Sequence, residues 1–177
     1  KSKVYHFESK LIEKNFYGFS DEMIEIIRKE CDVIILLGYN KIIHKDYLKI
    51  AKEGILSFHT ANIKKYRGRP AGFHEFINNE DFGGVTLQIL EDKIDNGKIV
   101  DQREISIKNC RSYEETLFMM MKLKKDIIIT GLKKIEDKEV FLRPDTKIRL
   151  SRSADSKRLL NVYKCLKKTI KKRYLQY

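Results

Sequence analysis

Segments rich in β-branched and aliphatic residues alternate along this chain with segments whose apolar residues recur at helical spacing. The first kind includes DVIILL (residues 32–37), GILSF (54–58), GVTLQIL (84–90) and residues 99–107; the second includes residues 21–27 and 113–131. Such alternation is typical of α/β folds. We therefore predict an open, mostly parallel, Rossmann-like sheet flanked by helices. DVIILL, an unbroken apolar run, is predicted to be a central strand covered on both faces.

Short polar signals mark the predicted helix starts. Ser20, followed by two acidic residues, is typical of an N-cap, and Ser112 with Glu115 forms an S-x-x-E capping box. Shorter helices are predicted near residues 45–52 and 71–78, and KVYHFES (3–9) is predicted to be a weak first strand. The G-x-G-x-x-G turn that opens many doubly wound sheets is missing.

Positive charge is concentrated at the end of the chain. Residues 143–177 contain twelve Lys or Arg and two Asp, which is +10 of the formal net charge of +12. Leu159, Tyr163, Leu166 and Ile170 recur there at helical spacing among lysines. We predict a catalytic domain over residues 1–142 and a basic linker with an amphipathic helix over 143–177. The apolar stripe is expected to dock on its own domain or on a second subunit, as in a possible homodimer, in preference to dedicated nucleic-acid binding.

Composition excludes several classes of protein. The chain has 177 residues, of which 42% are hydrophobic and 35% charged, as in a single globular domain. No apolar run approaches the roughly 20 residues that span a bilayer, and no signal-peptide core follows the basic N-terminus, so we expect a cytoplasmic protein. Cys31, Cys110 and Cys165 have no metal-binding spacing. We expect buried thiols and no metal.

One histidine and one aspartate are placed for chemistry. His59 follows the predicted strand GILSF, and Asp95 lies in the turn KIDNG between two later strands. A carboxylate beside a histidine favours the imidazolium, which can donate to a developing oxyanion, while the carboxylate accepts a proton from an attacking amine. This chemistry suits acyl transfer between nitrogens. Spacing alone leaves open that the two residues are unrelated.

Four short motifs occur in one order: SFH (57–59), YRG (66–68), GVT (84–86) and IDNG (94–97), preceded by GYNKII (38–43). This ordered set resembles the 10-formyltetrahydrofolate-dependent formyltransferase family, and in particular its sugar N-formyltransferase-like members. In that family a strand ending in Asn-x-His is followed by a glycine-containing loop, a Gly-Val-Thr strand and an Asp-x-Gly turn. The resemblance covers about residues 32–107.

The resemblance implies an enzyme that moves a formyl group from 10-formyltetrahydrofolate to a primary amine, which we expect to belong to a nucleotide-linked amino sugar. His59 and Asp95 match the family's catalytic histidine and aspartate, whereas Ser57 stands where the family has a catalytic asparagine. The serine hydroxyl is shorter than an amide, and losing one oxyanion donor can cost roughly 10²–10³ in rate. Asn62, Gln88 or a loop amide is the alternative donor, and a slow reaction is the other alternative.

The resemblance also implies where the substrates bind. Arg67, Gly68 and Arg69 are expected to hold an anionic group of the acceptor, because guanidinium forks suit phosphate and carboxylate; solvated loop charges are the alternative. The family usually has two more strands and a helix before the matched region. The acceptor site is therefore expected either to lie in a segment preceding Lys1 or to be built from these arginines and the basic tail. The pterin is expected to contact the backbone of Gly38, Tyr39, Asn40, Lys41, Ile42, Ile43, Ile89, Leu90, Glu91 and Asp92.

The sequence assigns no catalytic or binding role to the remaining candidate residues. His74 is expected to be structural, His6 and His44 have no informative context, and the methionines at 119–121 are expected to fill the core. Two other functions stay open. One is hydrolysis of 10-formyltetrahydrofolate, and the other is a non-catalytic binding module derived from the same fold.

Overall fold

A computed structural model describes residues 8–13, 16–144, 150–151 and 159–174. The predicted strand KVYHFES lies outside the described residues except for Glu8 and Ser9, which are not in a strand. The elements are, in chain order, β1 (Lys10–Glu13), β2 (Phe16–Gly18), α1 (Asp21–Glu30), β3 (Ile34–Leu36), β4 (Ile42–Ile43), a 3-10 turn (Lys45–Tyr47), β5 (Ile55–His59), β6 (Arg67–Gly68), α2 (Phe73–Ile77), β7 (Phe82–Ile89), β8 (Lys98–Ser106), α3 (Tyr113–Glu136), β9 (Leu150–Ser151) and α4 (Leu159–Tyr174).

The main sheet has the strand order β3-β5-β7-β8. β3 pairs with β5 in parallel, whereas β5 with β7 and β7 with β8 are antiparallel. The predicted α/β class is confirmed, but the expectation of a mostly parallel sheet is wrong for the described strands. For β7 and β8 the physical reason is their connection, because residues 90–97 are too short for the crossover that a parallel pair needs.

The strand predicted at the centre of the sheet, DVIILL, lies at an edge of the described sheet as β3. Its three strand residues are half-buried instead of covered on both faces. β5 takes the central role that the sequence pattern assigned to β3. Its Ile55 and Leu56 are both fully buried and point to opposite faces of the sheet, as successive strand residues do.

Two apolar clusters cover the two faces. Leu56 belongs to the cluster under α3, whose other buried members include Val85, Leu87, Met120 and Ile127. Ile55 belongs to the cluster under α1, with Phe19, Ile27, Ile43, Leu48, Ile50 and Ala51. In the methionine triplet, Met120 is buried as predicted, whereas Met121 is 46% exposed.

The predicted caps are present at both long helices of the core. The Ser20 hydroxyl accepts from the Met23 amide at 3.3 Å, and the Ser112 hydroxyl accepts from the Glu115 amide at 3.2 Å. The Glu115 carboxylate accepts from the Arg111 amide at 2.6 Å, one residue before the cap. These contacts satisfy N-terminal amides that the helices cannot pair internally.

The C-terminal helix α4 packs against α2 through its polar side. Lys168 donates to the Phe76 carbonyl oxygen, and its ammonium lies 4.3 Å from the centre of the Phe76 ring. Tyr163, Leu166 and Ile170 of the apolar stripe are 60%, 58% and 54% exposed. The expectation that this stripe docks on its own domain is therefore wrong for these three residues, and docking on a second subunit stays a prediction.

Two further expectations concern burial and membranes. Cys110 is buried as expected, whereas Cys31 and Cys165 are half-buried, and none of the three forms a disulfide. Within the described ranges, no helix combines the length and the apolar character needed to cross a membrane.

Candidate active site

His59, the last residue of β5, is 5% exposed and lies beside Thr86 of β7. Its Nδ1 is 3.4 Å from the Asp95 Oδ1. The predicted catalytic pair is therefore brought together by the fold, although the two residues are far apart in sequence. Ser57 is two residues earlier on β5 and so shares the face of the strand that carries His59.

Both ring nitrogens of His59 face oxygen atoms. Nε2 is 2.8 Å from the Tyr66 carbonyl oxygen. Since a carbonyl oxygen can only accept, Nε2 carries a proton. A hydrogen on Nδ1 directed at the Asp95 carboxylate would then make the ring an imidazolium. The geometry thus gives each ring nitrogen of His59 an oxygen acceptor, one of which is the Asp95 carboxylate.

The Asp95 carboxylate is held by two further donors. The Gly68 amide donates to Oδ2 at 2.9 Å, and Gln88 Nε2 donates to Oδ1 at 3.3 Å. Gln88 also accepts from the Gly97 amide at 3.0 Å, so one side chain of β7 binds the turn at Asp95 and at Gly97. The Asp95 φ is +46°, a left-handed conformation that Asp tolerates better than most residues.

Arg67 fixes the backbone of the same turn. Its Nε donates to the Asp95 carbonyl at 2.6 Å and its Nη2 to the Ile94 carbonyl at 2.7 Å. The side chain is only 7% exposed, so the alternative of a solvated loop charge is wrong for Arg67. Arg69 is exposed and donates to the Asn40 carbonyl at 2.8 Å. Acceptor binding by Arg67, Gly68 and Arg69 stays a prediction.

The alternative oxyanion donors are already engaged. Asn62 Nδ2 donates to Glu104 at 2.6 Å, and Asn62 Oδ1 accepts from the Lys64 amide at 2.9 Å. Gln88 is committed to Asp95 and Gly97. The side-chain amide of Asn62 or Gln88 would have to exchange a partner in order to donate to a formyl oxygen. In contrast, no hydrogen bond of the Ser57 hydroxyl occurs among the described contacts.

The two segments predicted to hold the pterin line neighbouring cavities. Ile43 and Asp92, one from each segment, line a cavity of about 270 Å³. A larger cavity of about 960 Å³ lies beside residues 89–93 and Asn96, within the size range of small-molecule sites. Asn96 is 5% exposed, and its Oδ1 has no hydrogen-bond partner among the described residues. Neither His59 nor Asp95 lines these cavities, and Asn96 is the residue of the IDNG turn that lines the larger one.

Lys41 of the first predicted segment points elsewhere. Its ammonium donates to the Ser9 hydroxyl at 2.7 Å and lies 4.3 Å from the centre of the Tyr17 ring. The Tyr39 hydroxyl is buried and has no hydrogen-bond partner in the described part of the chain. Any pterin contact of residues 38–43 therefore falls to the backbone and to Tyr39 more than to the lysine side chain.

The sequence analysis did not predict several roles at the site, including that of Gln88, which it considered only as an oxyanion donor. Gln88 holds Asp95, and Tyr66 supplies the carbonyl that accepts from His59. Glu75 of α2 is 1% exposed, and its Oε1 accepts from the Asn62 amide at 3.1 Å. A glutamate between His74 and Phe76 on a short helix gives no sequence signal that its own side chain is buried. His44 is also buried, with Nε2 3.1 Å from the Glu13 carboxylate.

His74, expected to be structural, stacks on Tyr66 with ring centres 5.7 Å apart. No group of three or more His, Cys, Asp or Glu suited to hold a metal occurs among the described residues.

A buried histidine–carboxylate pair at the end of a strand of an α/β sheet is a candidate acid–base site. A sequence profile described as "Formyl transferase" matches residues 4–131. The chain belongs to the formyl transferase family.

Curated relatives of the chain are methionyl-tRNA formyltransferases. The protein from Thermotoga neapolitana is 31% identical over 112 residues, which are 63% of this chain and 36% of the relative. The protein from Borreliella afzelii is 28% identical over 116 residues, 65% of this chain and 37% of the relative. The chain thus spans little more than a third of the length of these relatives.

Solved structures share the fold. The sugar 3N-formyl transferase WlaRD, studied with dTDP and 5-N-formyl-THF, gives a TM-score of 0.66 at 21% identity, over 84% of this chain and 57% of its own. The formyltransferase PseJ from Anoxybacillus kamchatkensis was studied in complex with UDP-4,6-dideoxy-4-formamido-L-AltNAc and tetrahydrofolate. It gives a TM-score of 0.62 at 21% identity, over 81% of this chain and 78% of its own. The predicted formyltransferase-like fold is confirmed.

Arg67→Lys should loosen the Asp95 turn, because a lysine ammonium cannot bind two carbonyls in the fork geometry of a guanidinium. We expect the free energy of unfolding in urea to fall by about 1–3 kcal/mol, with faster amide hydrogen exchange in residues 94–97. Arg69→Lys, in an exposed side chain that donates to the Asn40 carbonyl, is the matched control and should change stability by less than about 0.5 kcal/mol. Equal effects of the two substitutions would contradict this role of Arg67.

Glu75 should make the protein less stable as pH rises. Burial raises the pKa of its carboxyl from the ordinary value of 4.5 to about 7. The folded state therefore holds a proton that the unfolded state releases between these two pH values, and the free energy of unfolding falls across that window. The loss from this group is at most roughly 3 kcal/mol. Glu75→Gln cannot ionise, so its thermal unfolding curve should lack this decline between pH 5 and pH 8; an unchanged pH dependence would refute the assignment.

Proposed function

We propose that this chain transfers a formyl group from 10-formyltetrahydrofolate to a primary amine, and that the amine belongs to a nucleotide-linked amino sugar. The observation that carries the proposal is the His59–Asp95 pair, 3.4 Å apart at the end of a central strand, in a member of the formyl transferase family. The cavities beside the Asp95 turn support folate as the formyl donor.

The proposed reaction forms a bond between the amine nitrogen and the formyl carbon and breaks the bond from that carbon to N10 of the folate. Attack on the formyl group places negative charge on its oxygen, and the His59 imidazolium stabilises this oxyanion. For Nε2 to donate directly, it must exchange the Tyr66 carbonyl for the oxyanion. Asp95 keeps the ring oriented and accepts the proton that the amine loses, and this proton then passes to N10 as the bond from N10 to the formyl carbon breaks. The products are a formamide and tetrahydrofolate.

The amino-sugar acceptor is supported by the two fold neighbours described above, which carry sugar N-formyltransferase or nucleotide-sugar descriptions. The curated relatives act on methionyl-tRNA by name, so a tRNA acceptor is the competing substrate. Both acceptors present a primary amine, and the same His59–Asp95 chemistry serves either. The choice is therefore made by the surface that holds the rest of the acceptor.

His59→Ala and Asp95→Asn should each lower formyl transfer by roughly 10² or more, because each removes part of the polarised pair. The measurement is formylation of dTDP- and UDP-linked amino sugars with 10-formyltetrahydrofolate, preceded by calorimetric titration with 5-formyltetrahydrofolate as a stable analogue. Glu25→Gln, on the exposed side of α1, is the control and should match the unaltered protein.

Either of two results would overturn the proposal. One is transfer that survives both substitutions at the original rate. The other is a complete lack of folate binding by the unaltered protein. Formate release that needs no amine acceptor would instead identify a hydrolase that uses the same pair.

Ser57→Asn should speed up the reaction. The longer amide arm restores an oxyanion donor where the family has asparagine, and one such donor is worth roughly 10²–10³ in rate. The gain should appear in kcat, because the interaction forms only in the transition state. Ser57→Ala measures what the native hydroxyl contributes. If asparagine lowers the rate as much as alanine does, serine is the working donor and the missing-donor interpretation is wrong.

A further inference from the structure

A continuous run of hydrogen bonds links a buried carboxylate to the His59 ring. Glu75 Oε1 accepts from the Asn62 amide at 3.1 Å. The Asn62 carbonyl accepts from the Tyr66 amide at 2.8 Å. The Tyr66 carbonyl then accepts from His59 Nε2 at 2.8 Å. Glu75 therefore helps to position the Asn62 backbone, which helps to position the Tyr66 backbone, which in turn contacts the His59 ring.

The burial of Glu75 calls for an explanation. The residue is 1% exposed, and its Oε2 has no hydrogen-bond partner among the described residues. A half-satisfied buried carboxyl is unfavourable, and such groups are rare enough that each needs a reason. Among the described contacts, the Asn62 backbone amide donates to Glu75 Oε1. The carboxyl therefore offsets its own cost in part by satisfying a backbone donor that would otherwise be buried unpaired.

The start of the loop after His59 is confined from the sheet side as well. Thr86 donates to the Ala61 carbonyl at 3.0 Å. A Cβ atom on Gly84 would lie 2.8 Å from the Asn62 nitrogen, so β7 and the loop are in close contact there. Asn62 cannot move toward the sheet, and Glu75 holds it from the side of α2. The position of the Asn62 backbone is thus set between two elements.

The other polar and titratable groups around Glu75 do not take its place as the acceptor for the Asn62 amide. Lys65 and the Tyr66 hydroxyl both donate to Glu80. The Tyr113 hydroxyl donates to the Ala71 carbonyl. Glu104 accepts from the Asn62 side chain. These contacts hold side chains or other parts of the loop. In the described part of the chain, none of these groups accepts a hydrogen bond from the Asn62 backbone amide.

We propose that Glu75 is a positioning residue that orients His59 through the backbone of Asn62 and Tyr66. Its acceptor oxygen, and not its charge, performs this role. The consequence for formyl transfer rests on the proposed function, whereas the effect on the His59 ring does not. The first is measured by kinetics and the second by nuclear magnetic resonance, so the two can fail separately.

The test compares three substitutions of Glu75 in the full chain. Glu75→Gln keeps an oxygen acceptor at the same reach, Glu75→Met keeps the length without the oxygen, and Glu75→Asp keeps the carboxylate on a shorter arm. Spectra of protein with ¹⁵N-labelled histidine report the protonation of both His59 ring nitrogens. Glu25→Met, in an exposed position of α1, controls for loss of a glutamate elsewhere.

We expect Glu75→Gln and Glu25→Met to keep the His59 signals of the unaltered protein. Glu75→Met and Glu75→Asp should lose the protected Nε2 proton, and their kcat should fall about 10-fold to 100-fold with KM for the folate nearly unchanged. Two variants that are expected to lower kcat are included, so that the test can be made with either of them if the other does not fold. Unchanged His59 signals in either folded variant, or an equal loss in Glu75→Gln, would overturn the proposal.

Discussion

The candidate site depends on one constraint, the position of the Asp95 carboxylate. The residue lies in a left-handed backbone conformation within a turn, and its carboxylate reaches back to His59. Alone, such a turn would exchange many conformations, because chain entropy favours disorder. Arg67 binds the two carbonyls of the turn, and Gln88 together with the Gly68 amide binds the carboxylate. The polar cluster converts a mobile turn into a fixed partner for the histidine.

The motifs of the sequence have physical reasons in this cluster. In IDNG, a Cβ atom on Gly97 would lie 1.9 Å from the Ile89 carbonyl oxygen, so only glycine lets the turn close against β7. In YRG, arginine holds the turn and glycine supplies the amide that binds Asp95. In GVT, Gly84 admits the Asn62 backbone and Thr86 binds the Ala61 carbonyl. Each motif contributes to placing the same two side chains.

The site also carries costs that stability alone would not favour. Glu75 is a buried carboxyl whose pKa burial raises to about 7, and Asp95 occupies an uncommon backbone region. Groups of this kind cluster at functional sites, where they orient reacting groups. The apolar core under α3, built on Leu56, Leu87, Met120 and Ile127, is the part of the fold that offsets such costs. The apolar core under α3 thus lies on the face of the sheet opposite to Ser57 and His59.

The sequence by itself determined the α/β class, the helix caps at Ser20 and Ser112, the positions of β5 and β7, and the candidate pair His59 and Asp95, because these features follow from local periodicity and ordered motifs. It could not determine strand direction, so β3 was assigned to the centre of a mostly parallel sheet. The hydrogen-bond partners of Gln88, Arg67 and Glu75, and the exposure of Tyr163, Leu166 and Ile170 on α4, were decided only by the tertiary structure. The physical reason is that a side chain's hydrogen-bond partners and burial depend on neighbours distant in the chain, about which local sequence pattern carries no information.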